Sequence, residues 1–124
     1  MDRRTVGKFG ETEAVRYLKK KKYEIIDTNY HTKFGEIDII AKNREYIIFA
    51  EVKTRMQGSM FQPRQAVTTT KQNKIKMTAA MYLSRMTENT ELQPRFDVIE
   101  VIVGYDGTVL KCCGLEHMEN AFWS

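Results

Sequence analysis

Glu36, Asp38, Glu51 and Lys53 are charged residues set into the apolar stretch Gly35–Arg55, GEIDIIAKNREYIIFAEVKTR. The apolar runs Ile37–Ala41 and Tyr46–Val52 flank a polar break, Lys42–Glu45, and read as a β-hairpin. Side chains alternate along a strand, so Glu36 and Asp38 share one face, as do Glu51 and Lys53. A two-residue turn at Asn43-Arg44 pairs Lys42 with Glu45, sets Asp38 against Phe49 and Glu36 against Glu51, and gathers all four charges on one face. A four-residue loop keeps that parity and a three-residue loop breaks it.

Strands lie about 4.8 Å apart, so the carboxylates crowd together with a single ammonium between them. A divalent cation would neutralise the excess, and Mg²⁺ is commonly held by one or two carboxylates plus substrate phosphates. The pattern Asp38…Glu51-Val52-Lys53 is thus a candidate metal site with a lysine beside it; the competing reading is a solvated sheet face with ordinary surface charges.

A helix expected over Thr5–Lys22, capped by Thr5 and weakened by Gly7 and Gly10, places Glu11 on the same stripe as Ala14 and Leu18. An acid there either joins the site or is favoured by the helix dipole. A second helix, from Thr69 or Thr70 to Met86, carries Lys71 on the stripe of Ile75, Thr78 and Tyr82. That lysine suits a phosphate near the helix start, or snorkels to solvent. Gln65 follows the loop Met56–Arg64, which leaves the Lys53 end of the hairpin, and is within reach of the site as a hydrogen-bonding group.

The remaining elements are a first strand, Tyr23–Asn29, a polar connection, Tyr30–Phe34, a linker, Thr87–Pro94, a strand, Arg95–Val103, and a turn at Asp106-Gly107 into a short strand, Thr108–Cys112. The tail Gly114–Ser124 carries enough apolar residues to dock. The order is α-β-β-β-α-β plus a short final strand, an α/β chain with one mixed sheet, the second helix crossing over to a strand parallel to the one holding Glu51.

The 124 residues fit a single domain, with 20 Lys+Arg against 16 Asp+Glu and a net charge of +4. This mild basic excess is compatible with nucleic acid without being diagnostic. No apolar run reaches membrane-spanning length and MDRRTVGKFG has no apolar signal core, so a cytoplasmic protein is expected. Cys112 and Cys113 are adjacent, and His31 and His117 are far apart, which argues against zinc and thiol chemistry. No phosphate-loop or dinucleotide fingerprint is present.

The blocks Gly10-Glu11 with Ala14, GEIDIIA (Gly35–Ala41), FAEVKTR (Phe49–Arg55), Pro63–Val67, Lys71, RFDVIEV (Arg95–Val101) and HMENAF (His117–Phe122) together resemble the YraN-like bacterial proteins, over nearly the whole chain. The resemblance implies a PD-(D/E)XK, restriction-endonuclease-like core akin to archaeal Holliday-junction resolvases. It implies that Asp38 and Glu51 hold Mg²⁺ or Mn²⁺, that Glu11 completes the metal site, and that Lys53 orients or activates water. Glu36 is then accessory, Arg55 belongs to the family motif, and Lys71 faces substrate phosphate, so that Lys71, Arg55 and Gln65 form the nucleic-acid side of the site. The chain departs from the family pattern at Phe61-Gln62-Pro63, where Tyr-Gly-x-Pro is usual.

The activity to expect is metal-dependent hydrolysis of DNA phosphodiester bonds. Branched or otherwise structured DNA as substrate and a homodimer as the assembly are left open. A non-catalytic nucleic-acid-binding module on the same fold is the alternative, with salt-sensitive binding and no cleavage. An interaction protein using the C-terminal aromatics is a third reading.

Overall fold

The central hairpin is buried through Ile37–Ala41 of its first strand and Ile47–Ala50 of its second, where both faces are covered, and the rest of the second strand is half-buried. In the computed structural model of the protein, the structure describes residues 3–58, 67–86 and 91–122. The elements run α1 (Arg3–Lys20), β1 (Glu24–Thr32), β2 (Gly35–Lys42), β3 (Tyr46–Met56), α2 (Thr69–Arg85), β4 (Gln93–Asp106) and β5 (Val109–Met118). This is the α-β-β-β-α-β order with an added final strand that the sequence leads one to expect. The five strands form one mixed sheet in the order β1-β2-β3-β4-β5. Only β3 and β4 run parallel, with α2 as their crossover.

The period of two along each central strand divides the core between the helices. Ile39, Ala41, Ile48, Ala50, Ile99, Val101 and Val103 pack with Ala14 and Leu18 of α1. Ile40, Ile47, Phe49 and Val98 pack with Ile75 and Ala79 of α2. Phe122 also enters this second core, stacked on Phe96 at 5.3 Å, so the C-terminal segment docks as expected as far as it is described. Trp123 lies outside the described residues.

Several boundaries move. Helix α1 stops at Lys20, two residues before the expected end, in a Schellman motif. The Tyr23 amide donates to Leu18 O (3.0 Å), the Lys22 amide donates to Lys19 O (3.0 Å), and Lys22 adopts φ 72°. Tyr23 and Leu18 then meet in the core below that turn. Helix α2 begins at Thr69, within the expected bounds, and ends at Arg85, one residue short of them; its cap is Thr68, whose hydroxyl accepts from the Lys71 amide.

Strand β1 continues three residues beyond the expected Asn29, through a polar stretch whose outer face is solvated. Tyr30 turns inward onto Tyr82 at 5.1 Å. At the other end β5 runs to Met118, well past Cys112, with a bulge opposite Ile102/Val103 where the two free cysteines lie.

Gly10 shows why α1 tolerates a poor helix former at that position. A Cβ there would overlap Thr54 Oγ1 and come within 3.0 Å of Thr54 Cβ and Cγ2, so glycine permits the close approach of α1 to β3. Gly10→Ala is therefore expected to destabilise the protein by about 1–3 kcal/mol, despite adding roughly 1 kcal/mol of helix propensity. Thermal melts check this: adding Thr54→Ala should recover much of the loss, and a stabilised single variant would contradict the packing.

Candidate functional site

The site begins where the sheet opens. The ladder between β2 and β3 stops at Ile39↔Ala50, while β1 keeps pairing with β2 as far as Gly35 and β4 with β3 as far as Met56. Asp38 stands at this fork. Its Oδ2 accepts from the Val52 amide at 2.8 Å, so a carboxylate takes over from the strand carbonyl that would have continued the ladder.

The hairpin register differs from the two-residue-turn expectation, and the cause is Asn43. Lys42 pairs with Ile47, leaving a four-residue loop. Asn43 Oδ1 accepts from the amides of Glu45 (2.9 Å) and Tyr46 (2.8 Å), an Asx turn that holds the wider loop. Face parity survives, but every partner shifts by two. Ile40 faces Phe49, and the same register carried past the ladder brings Asp38 across from Glu51.

That closeness has an electrostatic consequence. Burial of Asp38, then the charge and hydrogen bond of Glu51, push its pKa up to about 8; the Val52 amide opposes the shift and the charge of Glu11 adds to it. Lys71 Nζ lies 2.9 Å from Glu51 Oε2. Burial would lower the lysine's pKa, but the Glu51 bond and the charges of Glu51, Asp38 and Glu36 outweigh it and hold it above the ordinary value. Lys71 is thus a cation drawn into an acidic cluster, with its own amide capped by Thr68.

One opening reaches Asp38 and a second lies beside the start of β2. The first, of about 240 Å³, lies beneath α1 and is lined by Lys8, Glu11, Thr12 and Asp38. The other, of about 400 Å³, lies between the start of β2 and the start of α2 and is lined by Glu36, Thr68, Lys71 and Lys74. Glu11 therefore faces the site from α1, where the stripe Ala14–Leu18 puts it, and acts on Asp38 through its charge. Lys53 follows two residues after Glu51 on the same side of β3. Glu36 is exposed at the mouth of the second opening.

Arg55 turns to the neighbouring strand, its Nε donating to Glu100 Oε2 at 3.2 Å. Gln65, the residues 59–66 around it and their Phe61-Gln62-Pro63 departure lie outside the described residues. Among the described residues, no group of three or more His, Cys, Asp or Glu side chains is placed to hold a metal ion. Asp38 and Glu51 are instead a pair, with Glu11 further back. Magnesium sites with one or two protein carboxylates, completed by phosphates and water, match such a donor set, so the residues present fit a divalent cation bound together with a substrate.

Sequence reasoning passed over two buried acids. Glu100, 7% exposed, lies in register with Lys53 and pairs with Arg55. Asp97 is fully buried on the opposite face, under α1. Its Oδ1 accepts from Arg95 Nε (2.9 Å) and the Asn120 amide (3.0 Å); its Oδ2 accepts from Arg95 Nη2 (2.8 Å) and lies 2.7 Å from His117 Nε2. The signal was the one that singled out Asp38, an acid within an apolar strand; here RFDVIEV contains two.

No helix among the described residues is long and apolar enough to cross a membrane. A profile described as "Uncharacterised protein family UPF0102" matches residues 10–101. A UPF0102 protein of Clostridium botulinum strain Hall is 44% identical over 117 residues, covering 94% of this chain and 93% of its own. Another, from Acetivibrio thermocellus, is 39% identical over 122 residues, covering 98% and 93%. The matched span takes in Glu11, the Asp38–Glu51 fork, Lys53, Lys71 and the Arg95–Asp97 pair, and the chain belongs to the UPF0102 family.

Proposed function

We propose that this protein is a divalent-metal-dependent nuclease that hydrolyses DNA phosphodiester bonds, with branched or otherwise structured DNA as its substrate class. The observation that carries the reading is the Asp38–Glu51 pair at the fork of β2 and β3, two buried or half-buried carboxylates facing each other, with an opening under α1 that reaches Asp38. An arrangement that makes ionisation of Asp38 costly suits a site completed by Mg²⁺ or Mn²⁺. Asp38 and Glu51 would hold the ion, with Glu11 adding negative charge from α1. The chemistry such an ion supplies is activation of water and polarisation of a phosphoryl oxygen.

The chain's own residues supply the rest. Lys53, two residues beyond Glu51 on the same face, positions water and stabilises negative charge developing on the phosphoryl group. Lys71, on the first turn of α2 and half exposed, can swing from Glu51 to a phosphate oxygen. Arg55, fixed by Glu100, contributes positive potential at the far end of β3.

A second reading has its own observation: Glu51 is already paired with the Lys71 ammonium, as it would be in a binding module that needs no metal. Cleavage separates the two. With Mn²⁺ present, wild type is expected to cut branched, nicked or single-stranded DNA, and Asp38→Asn to lose at least about 10²-fold of that rate while keeping its fold. Salt-sensitive DNA binding with no metal-dependent cleavage would favour the module.

A further inference from the structure

Gly10 is accounted for by Thr54, but Gly7, one turn earlier, has no such neighbour. A Cβ at Gly7 would meet nothing within 4 Å. Glycine inside a helix costs stability, and here packing gives no reason for it. What it does is leave space. Gly7 lines a groove of about 520 Å³ with Arg3 and Val6 of α1, Val52 and Met56 of β3, and Tyr105 of β4.

The groove is the α1 face of the sheet continued past the helix start. Met56 pairs with Val103 in the β3–β4 register, and Tyr105 is two residues further along the face that carries Val101 and Val103. Tyr105 is 43% exposed and belongs to neither core cluster. Glu11 lines both this groove and the opening that holds Asp38, so the groove is continuous with the proposed catalytic site.

We propose that this groove receives an unstacked base from a single-stranded segment of the nucleic-acid substrate, with Tyr105 as the stacking ring. The proposal rests on the nuclease reading for its orientation, and it names the substrate class as one with an unpaired strand beside the scissile bond. The lining argues for a base over a phosphate. Val6, Val52, Met56 and the tyrosine ring offer apolar surface, and the Glu11 carboxylate repels phosphate yet accepts from an exocyclic amino group. Arg3 at the rim and Lys8 in the adjoining opening complement the backbone on either side. A base stacked within a duplex cannot present its face to Tyr105.

The test is fluorescence anisotropy in EDTA, with a labelled single-stranded oligonucleotide and a blunt duplex of equal length, on wild type, Tyr105→Ala, Tyr105→Phe and Gly7→Leu. A Cβ at position 7 meets nothing, so leucine starts into open space, occupies the groove and improves the helix, and it keeps the fold if the truncation of Tyr105 does not. Wild type and Tyr105→Phe should bind the single strand alike. Tyr105→Ala and Gly7→Leu should each bind it at least about fivefold more weakly, the low end of one base–aromatic stack, with duplex binding unchanged. Single-strand affinity equal to wild type in both weakened variants would overturn the groove, as would a wild type that does not bind the single strand. The readout is independent of cleavage: a protein that shows these binding losses but never cuts DNA would retain the groove and lose the nuclease reading.

Discussion

Asp97→Asn should be the most destabilising single-atom exchange in the described structure, costing about 3–5 kcal/mol, or roughly 10 °C or more in Tm. The substitution removes the buried charge partner of the Arg95 guanidinium, which is 6% exposed, lies 4.5 Å over the Tyr46 ring and donates from Nη2 to Tyr23 Oη at 2.6 Å, and leaves it only the solvent-exposed Glu119 carboxylate at 3.6 Å. It also frees His117, whose Nδ1 lies 2.9 Å from Tyr17 Oη, so strand β4, strand β5 and the end of α1 lose a common tie. Burial alone would raise the pKa of Asp97, but hydrogen bonds from His117, Arg95 and the Asn120 amide outweigh it and lower it. A depressed folded-state pKa stabilises the native state above the unfolded-state value and loses that contribution as pH falls through the folded one. The gap between wild type and variant should therefore be full above about pH 4 and close in stronger acid. Urea melts across this range check it. A gap of less than about 1 kcal/mol at neutral pH would show that the network is not a structural anchor.

Asp38→Asn should act in the opposite direction on stability. The folded-state pKa of Asp38 is pushed up to about 8 by burial and by Glu51, so the native state keeps a proton that the unfolded chain releases. Stability lost to this group is nil below the unfolded-state pKa, grows as pH rises from about 4, and levels off near the folded value. The asparagine escapes that loss. At pH 8 it should be more stable by about 1–2 kcal/mol, with little difference in strong acid. The same substitution removes a carboxylate that would hold the ion. A gain in Tm coupled to loss of metal binding and cleavage is the signature expected of a group kept for function at the expense of stability; an Asp38→Asn variant less stable than wild type at pH 8 would contradict the electrostatic account.

The two predictions also show how far the sequence reaches. Strand periodicity gathered Glu36, Asp38, Glu51 and Lys53 on one face of the hairpin, because parity depends only on the alternation of side chains. Register depends on loop length, which Asn43 decides through two side-chain hydrogen bonds that periodicity cannot express. The Asp38–Glu51 contact was therefore hidden by two residues. The end of β1 was hidden for another reason: an edge strand with a solvated face looks like a polar connection. The Asp97 network escaped because its members are spread over α1, β4 and the chain end, from Tyr17 to Asn120, and only the fold brings them together. Gly7 and Gly10 looked alike in the sequence, yet one lies against Thr54 and the other borders open space.

Calorimetric titration of Mn²⁺ into wild type and Asp38→Asn above pH 8, where Asp38 is free of its proton, reads the fork itself. Wild type should bind saturably, more weakly as pH is lowered because the ion must displace that proton, and the variant should not bind. Equal binding by the two proteins, or none by wild type even with a DNA substrate present, would contradict a metal site at the fork of β2 and β3.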